Sequence, residues 1–258
     1  MERHPSPKPE TVSLDRALSK MGIASRSEAR RLIWAGRVSV NGRTVRDTEA
    51  RVRLGQDTLR VDGEQAKPAA RHYIALNKPA GLVTTKSDER GRATVYECLR
   101  GLDVPWLGPV GRLDKASEGL LFFTNDTAWA NRVLDPASHL PKTYHVQVKG
   151  HLAEEELEQL RKGVVLKDGA LARVAAVSVL REGKINCWLE IVLHGGLNRQ
   201  IRRMLAVLGY EVLRLIRIAI GPIVLGDLPK GAARPLTPQE LESIGRALAE
   251  GKEQPGGG

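Results

Sequence analysis

Leu14, Leu18 and Met21 recur at i, i+4 and i+7, which places apolar side chains on one face of a helix, and Gly22 supplies a stop. Ser25 with Glu28 three residues later reads as a capping box for a second helix, which buries Ala29, Leu32 and Ile33 and ends near Gly36. The period then shortens to that of a strand. Val38 and Val40 alternate with polar neighbours, Asn41-Gly42 supplies the positive φ angles of a tight turn, and the chain returns through Val45. Val52, Leu54, Leu59 and Val61 can close a small sheet. The pattern predicts a helix–helix–hairpin unit over 12–62, a proline-bearing disordered tail over 1–11, and a linker over 63–70 around Lys67-Pro68-Ala69-Ala70.

A larger unit is predicted over 71–250. Tyr73-Ile74-Ala75-Leu76 is a short strand that runs into the turn Asn77-Lys78-Pro79-Ala80-Gly81, and residues 94–100 read as a short helix. Leu120-Leu121-Phe122-Phe123 is an apolar run bounded by Gly119 and by Thr124-Asn125-Asp126, as a buried strand is. Lys142–Val148 alternates polar and apolar residues as a half-buried strand does. Residues 153–161, rich in Glu and Leu, predict a surface helix, and strand-forming stretches surround 164–180 and 185–193. From Asn198 onward Ile201, Leu205 and Leu208 make one helical face while Arg199, Arg202 and Arg203 make a basic one. A capped terminal helix starts at Leu236-Thr237-Pro238, and 251–258 reads as a second disordered tail.

Charge narrows the classes of partner. The chain has 258 residues, enough for two cores, and 40 Lys+Arg against 30 Asp+Glu give it a net charge of +10 at pH 7. That favours a polyanion, although a basic surface alone does not separate nucleic acid from an anionic membrane. No apolar run approaches the roughly 20 residues that span a bilayer, and no apolar signal core opens the chain, so a cytoplasmic protein without a membrane partner is expected. Cys98 and Cys187 lie far apart, and the six histidines form no ligand pair on one helix face. No metal is expected. Arg26, Arg30, Arg31 and Arg37 cluster at the start of the second helix, along it and just beyond it. Arg26, Arg30 and Arg37, spaced by 4 and 7, can face phosphates from one side of that helix, with a solvated charged face as the alternative.

The most specific stretch is Gly111-Arg112-Leu113-Asp114-Lys115-Ala116-Ser117-Glu118-Gly119, running on through Leu120–Asp126. It sets the Asp114 carboxylate on a short turn directly before the buried strand. The whole stretch resembles the catalytic motif of the pseudouridine synthases, in the branch named for the ribosomal small-subunit pseudouridine synthase A. Asn77-Lys78-Pro79-Ala80-Gly81, Lys142-Thr143-Tyr144 and Asn198-Arg199-Gln200-Ile201-Arg202-Arg203-Met204-Leu205 resemble further motifs of that family in the same order. Leu14–Leu18, Gly22–Ala29 and Gly36–Gly42 together resemble the S4 RNA-binding domain, which is specific for a fold and not for one function.

The resemblance implies an α+β protein: a small N-terminal S4 domain and a larger synthase domain with a mixed, mostly antiparallel sheet. It implies Asp114 as nucleophile, Tyr144 stacked on the target base, and Arg202 paired with Asp114. For Tyr144, a merely packed tyrosine is the alternative. RNA contacts are expected from Arg26, Arg30, Arg31, Arg37, Lys78, Arg112, Arg199 and Arg203. Two departures affect loop geometry, and through it RNA fit, without touching Asp114, Tyr144 or Arg202: Thr127 stands where the family usually has glycine, and Gly195 where it usually has an acid. The reaction moves the C1′ bond of a uridine from N1 to C5 with all atoms kept, so no cofactor is implied. The expected partner is ribosomal RNA, bound by a monomer. Arg214–Pro222 and the basic C-terminal region resemble large-subunit members more than small-subunit ones. Small-subunit RNA as target, or a non-catalytic S4-type assembly factor, are the alternatives.

Overall fold

The computed structural model describes residues 10–86, 88–102, 104 and 106–253. The chain forms two compact units. Among the described residues, one comprises 10–73 with 104, 106–108 and 124–130; the other comprises 74–86, 88–102, 109–123 and 131–253.

The first unit runs β1 (Thr11–Ser13), α1 (Leu14–Lys20), α2 (Arg26–Trp34), β2 (Val38–Val40), β3 (Arg43–Thr44), β4 (Arg51–Arg53), β5 (Leu59–Val61) and β6 (Glu64–Gln65). The outer part of the expected N-terminal tail lies outside the described residues, but Thr11 is ordered in β1, opposite Arg53. The predicted apolar face is the core: Leu14, Ala17, Leu18, Ala29 and Ile33 of the helices pack with Val38, Val52 and Leu59 of the strands. The Ser25 hydroxyl accepts the Glu28 N–H at 3.1 Å, as the capping pattern required. Asn41 and Gly42 take φ of 50° and 81°, which closes β2 onto β3. Part of the expected linker is structured instead. Asp62-Gly63 makes a second such turn, with φ of 52° and 82°, and folds β6 back onto β5. The Ala69 N–H then donates to Met21 O at 2.8 Å, so this stretch stays tied to the first unit.

At the centre of that unit lies a carboxylate with no exposure to solvent. Asp15 accepts from the Ser13 hydroxyl at 2.7 Å, from Arg26 Nη2 at 2.8 Å and Nε at 3.1 Å, and from Arg30 Nε at 2.9 Å. Burial works against its charge, but the hydrogen bonds from Ser13, Arg26 and Arg30 outweigh it and hold the carboxyl below the ordinary range.

The second unit is built on a nine-stranded sheet. Its strands are β7 (Tyr73–Lys78), β8 (Gly108–Val110), β9 (Glu118–Thr124), β10 (Lys142–Lys149), β13 (Ala176–Glu182), β14 (Asn186–Leu193), β15 (Val212–Ile220), β16 (Ile223–Val224) and β17 (Ala233–Pro235). A two-stranded hairpin, β11 (Val164–Val165) with β12 (Leu171–Ala172), stands apart. The helices are α3 (Thr127–Leu134), α4 (Glu154–Lys162), α5 (Gln200–Val207) and α6 (Pro238–Glu253), and the expected helix at 94–100 is a 3-10 turn, Val95–Leu99. α6 continues to Glu253, so the start of the expected second tail is helical, and the rest of it, 254–258, lies outside the described residues. The main path of the sheet is β13-β14-β10-β15-β9-β7-β17, with β16 on β15 and β8 on β9. β13, β14, β10 and β15 pair antiparallel and β15 meets β9 in parallel, the mixed sheet expected. Strict alternation along β14 buries Cys187, Leu189, Ile191 and Leu193 against Val146, Leu215 and the apolar face of α5, namely Ile201, Met204 and Leu205.

The parallel junction depends on one glycine. Arg217 of β15 registers with Gly119 of β9, whose φ is +101°. A Cβ there would lie 2.2 Å from Arg217 O and 2.8 Å from its N, backbone atoms that cannot swing aside. Gly119→Ala should cost about 3–5 kcal/mol in urea unfolding, against a gain of about 0.5–1 kcal/mol for Gly245→Ala within α6, where an added Cβ meets nothing within 4 Å.

The buried carboxylate predicts a pH signature. Its folded value is lowered, so its contribution is fully present above the ordinary aspartate value of ~3.9 and is lost as pH falls through the folded value. Asp15→Asn should destabilise the first unit by about 3 kcal/mol at neutral pH, shrinking in acid, as read from urea midpoints across pH.

Candidate active site

The loop between β8 and β9 carries Asp114 and has no ladder to satisfy its backbone, so its carbonyls need partners from elsewhere. Each of five consecutive carbonyls has one. Leu113 O accepts from the Thr84 hydroxyl at 2.7 Å, and Lys115 O accepts from the Gly81 N–H at 2.7 Å. Asp114 O accepts from the Ser117 N–H at 3.0 Å and from Lys78 Nζ at 3.1 Å. Ser117 O takes Lys78 Nζ at 2.7 Å, and Ala116 O takes Arg202 Nη2 at 3.2 Å. The turn from Asn77 to Gly81 is therefore the clamp of the aspartate loop.

Lys78 is 0% exposed, and burial pushes its ammonium down to about 8 while Glu118 and Asp114 act the other way. It was expected to reach RNA; with all three donors' reach spent on backbone, including Pro79 O at 3.0 Å, it is unavailable to a ligand.

The ion pair on Asp114 also differs from the one expected. Arg199 Nη1 donates to Asp114 Oδ2 at 3.2 Å, whereas Arg202 donates to Ala116 O and, at 3.0 Å, to Val212 O. The reason is local. A continuous helix from Asn198 would place Arg199 beside Arg202 and Arg203. Instead Arg199 is the N-cap of α5 in the left-handed region, φ 51° and ψ 34°, so its side chain leaves the basic face and meets the carboxylate. Gln200 braces this turn: its Oε1 accepts the Leu197 N–H at 3.1 Å and its Nε2 donates to Arg173 O at 2.9 Å. Burial, then the neighbouring Arg199, lowers the Arg202 guanidinium, and Asp114 partly offsets them.

Asp114, Arg199 and Tyr144 line one cavity of about 520 Å³, with Leu134, Pro136, Leu193, the glycine loop Gly195–Gly196 and Ile201. Tyr144 stands on β10 across from Ile191 of β14 and Arg217 of β15. Arg112 is an exposed side chain on the same lining. Arg203 pairs instead with Asp168, Nη2 to Oδ2 at 2.6 Å. In the first unit each of the four expected RNA-binding arginines has an acid: Arg26 and Arg30 hold Asp15, Arg31 holds Glu28, and Arg37 grips Asp62 through Nε and Nη2, both at 2.6 Å.

Two cavity residues were missed from sequence, Lys142 and Arg217. Arg217 had a signal. In the alternation of β15 it falls on the inward phase with Leu215 and Ala219, where a charged residue breaks the apolar pattern.

Comparison with known proteins is consistent with this geometry. Residues 72–207 match the family described as RNA pseudouridylate synthase. The chain belongs to that family. Residues 12–58 match the S4 domain. An uncharacterized RNA pseudouridine synthase of Aquifex aeolicus (strain VF5) is 42% identical over 240 residues, 92% of this chain and 95% of its own. The ribosomal large subunit pseudouridine synthase B of Bacillus subtilis (strain 168) is 35% identical over 92% of this chain and 96% of its own. A crystal structure of a pseudouridylate synthase superposes with a TM-score of 0.63 at 28% identity, over 90% of this chain and 99% of that one.

In this pseudouridine synthase the clamp predicts that Lys78→Met unlocks the loop without touching an RNA surface. Turnover should fall at least about tenfold and stability by about 2–3 kcal/mol, while affinity for an rRNA fragment stays within about twofold. Filter binding beside single-turnover rates separates the two.

Proposed function

We propose that the protein converts a specific uridine of ribosomal RNA, in the large subunit, to pseudouridine, with Asp114 as the nucleophile. The observation that carries this reading is the placement of the Asp114 carboxylate, its side chain 32% exposed and ion-paired to Arg199, in the cavity that also holds Tyr144. The reaction needs an ionised nucleophile held still beside a chamber that can keep the base after its bond to C1′ breaks. The clamped loop supplies the first requirement, because a backbone fixed at every carbonyl cannot let the carboxylate drift. Arg199 orients the carboxylate through its hydrogen bond, and the half-buried Tyr144 offers an aromatic face for the uracil. Arg202 serves as a fastener of the loop.

A uridine must leave its stack to reach such a chamber, at a cost of a few kcal/mol that is smallest in an RNA loop. The S4 unit and Arg112 offset that cost through phosphate contacts. The large subunit is favoured by the relative in Bacillus subtilis, whose name specifies it. The protein acts in the cytoplasm, where its rRNA substrate is made.

Pseudouridine mapping by chemical adduct and primer extension, on both rRNAs from a deletion strain, tests the reading. One large-subunit signal should vanish and return with the wild-type protein. Asp114→Asn should restore none of it, its rate falling by roughly 10⁴-fold or more. A loss confined to small-subunit RNA would reassign the substrate, and rescue by Asp114→Asn would remove the nucleophile.

A further inference from the structure

The cavity wall formed by the sheet carries two cations that the proposed chemistry has not used. Arg217 is 6% exposed; its Nε donates to Leu120 O at 2.7 Å, but its Nη2 is buried with no hydrogen-bond partner among the described residues. The Lys142 ammonium makes no hydrogen bond or ion pair to any described residue. Burial first, then the charge of Arg217, pushes its ammonium down to about 8. Among the described residues no acid pairs with either of them, and the Asp114 carboxylate in the same cavity is taken by Arg199. An unpartnered buried donor beside a second cation is costly, and a fold keeps such an arrangement where a ligand completes it.

Their placement says which part of a ligand. Lys142, Tyr144 and Arg217 lie on the cavity face of neighbouring strands, with Tyr144 in register with Arg217. A register shift between Thr143 and Tyr144 falls between them, the kind of irregularity that re-aims side chains beside active sites. A uracil packed on the Tyr144 ring turns its polar edge along this row. On the same lining Arg112 is exposed, while Arg199 is engaged by Asp114.

Resting on the pseudouridine-synthase reading above, we propose that Arg217 and Lys142 form a cationic seat for the two carbonyl oxygens of the detached uracil. When the C1′–N1 bond breaks, its electron pair leaves with N1 and spreads onto O2 and O4. Donors fixed at those oxygens stabilise the charge as it develops, as an oxyanion hole does. Asp114 bonds to C1′ as the base departs; rejoining forms the C5–C1′ bond as the Asp114–C1′ bond breaks, C5 gives up its proton, and N1 gains one, so atoms and charge balance. Between the two steps the ring must turn. A half-turn about the axis through N3 and C6 exchanges N1 with C5 and O2 with O4. Two donors set for the two oxygens therefore meet the same pattern before and after the turn, and the base is held in either orientation without moving the protein.

The test compares wild type, Lys142→Met, Lys142→Gln and Arg217→Lys on a large-subunit rRNA fragment, measuring single-turnover rate and Kd separately. The seat predicts that Lys142→Met and Arg217→Lys slow the chemical step by about 10²-fold or more while Kd stays within about threefold, with Lys142→Gln between them and wild type. Urea unfolding followed at the synthase unit shows which variants are folded, and the two Lys142 variants carry the test if Arg217→Lys does not fold. Rates within threefold of wild type overturn the seat alone. So does a rise in Kd that accounts for the lost rate, which would make these residues phosphate contacts. A wild-type protein that converts no uridine overturns the seat and the reading on which it rests.

Discussion

An irregular loop in a protein interior must place every backbone carbonyl, and that obligation organises the synthase unit. The five carbonyls from Leu113 to Ser117 draw donors from three separate places: the Asn77–Gly81 turn, Thr84 and the first turn of α5. None of these donors carries chemistry of its own. Together they hold the Asp114 side chain, the proposed nucleophile. Burying the Lys78 ammonium is expensive in itself, yet the carbonyl acceptors around it make the alternative worse, because an apolar side chain there would take the Lys78 donor from Pro79 O and Ser117 O and leave Asp114 O with the Ser117 N–H alone. The clamp and the aspartate loop therefore constrain each other, which is why two motifs so far apart in sequence have to coexist.

The same economy explains the division of labour among the arginines of Asn198–Arg203. A helix presents residues three and four apart on one face, so a regular helix could not send Arg199 and Arg202 to different targets. The left-handed backbone at Arg199 breaks that coupling, at a cost of about 1–3 kcal/mol for a residue with a side chain. Gln200 supplies compensation by bonding both Leu197 N and Arg173 O. The result sends one guanidinium to the Asp114 carboxylate and another to the loop that carries it. Strain of this kind is found where a site requires it, and here it sits one residue outside α5.

Periodicity made most of the architecture legible. Leu14, Leu18, Ala29 and Ile33 form the predicted core, and the Asn41-Gly42 turn and the fully buried Leu120–Phe123 strand are where the pattern placed them. Two failures have physical causes. Asp62-Gly63 is as strong a turn signal as Asn41-Gly42, but β6 has only two residues, too few for alternation to show, so a strand passed for linker. The partner of Asp114 was misplaced because helical spacing was extended through Arg199, whose conformation depends on tertiary bonds that no local pattern encodes. Arg217 was readable as a charge on an inward position of β15; its lack of a partner was not, since satisfaction depends on what surrounds a side chain.

Charge gives the most instructive case of a bulk signal that misleads in detail. A net charge of +10 implies a polyanionic partner, yet Arg26, Arg30, Arg31 and Arg37 are each engaged by a carboxylate of their own unit. Neutralised pairs release fewer counterions than free cations, so the salt dependence of RNA binding by this unit should be shallower than a count of its arginines implies. Engagement does not remove these residues from recognition. Arg26 and Arg30 keep side-chain exposures of 52% and 42% while Asp15 fixes them from beneath, and a guanidinium has five N–H donors, more than one carboxylate consumes. A buried acid that anchors surface arginines lowers the entropy they lose when a phosphate arrives. What Asp15 takes from long-range attraction it returns as a preset orientation of two surface guanidinium groups.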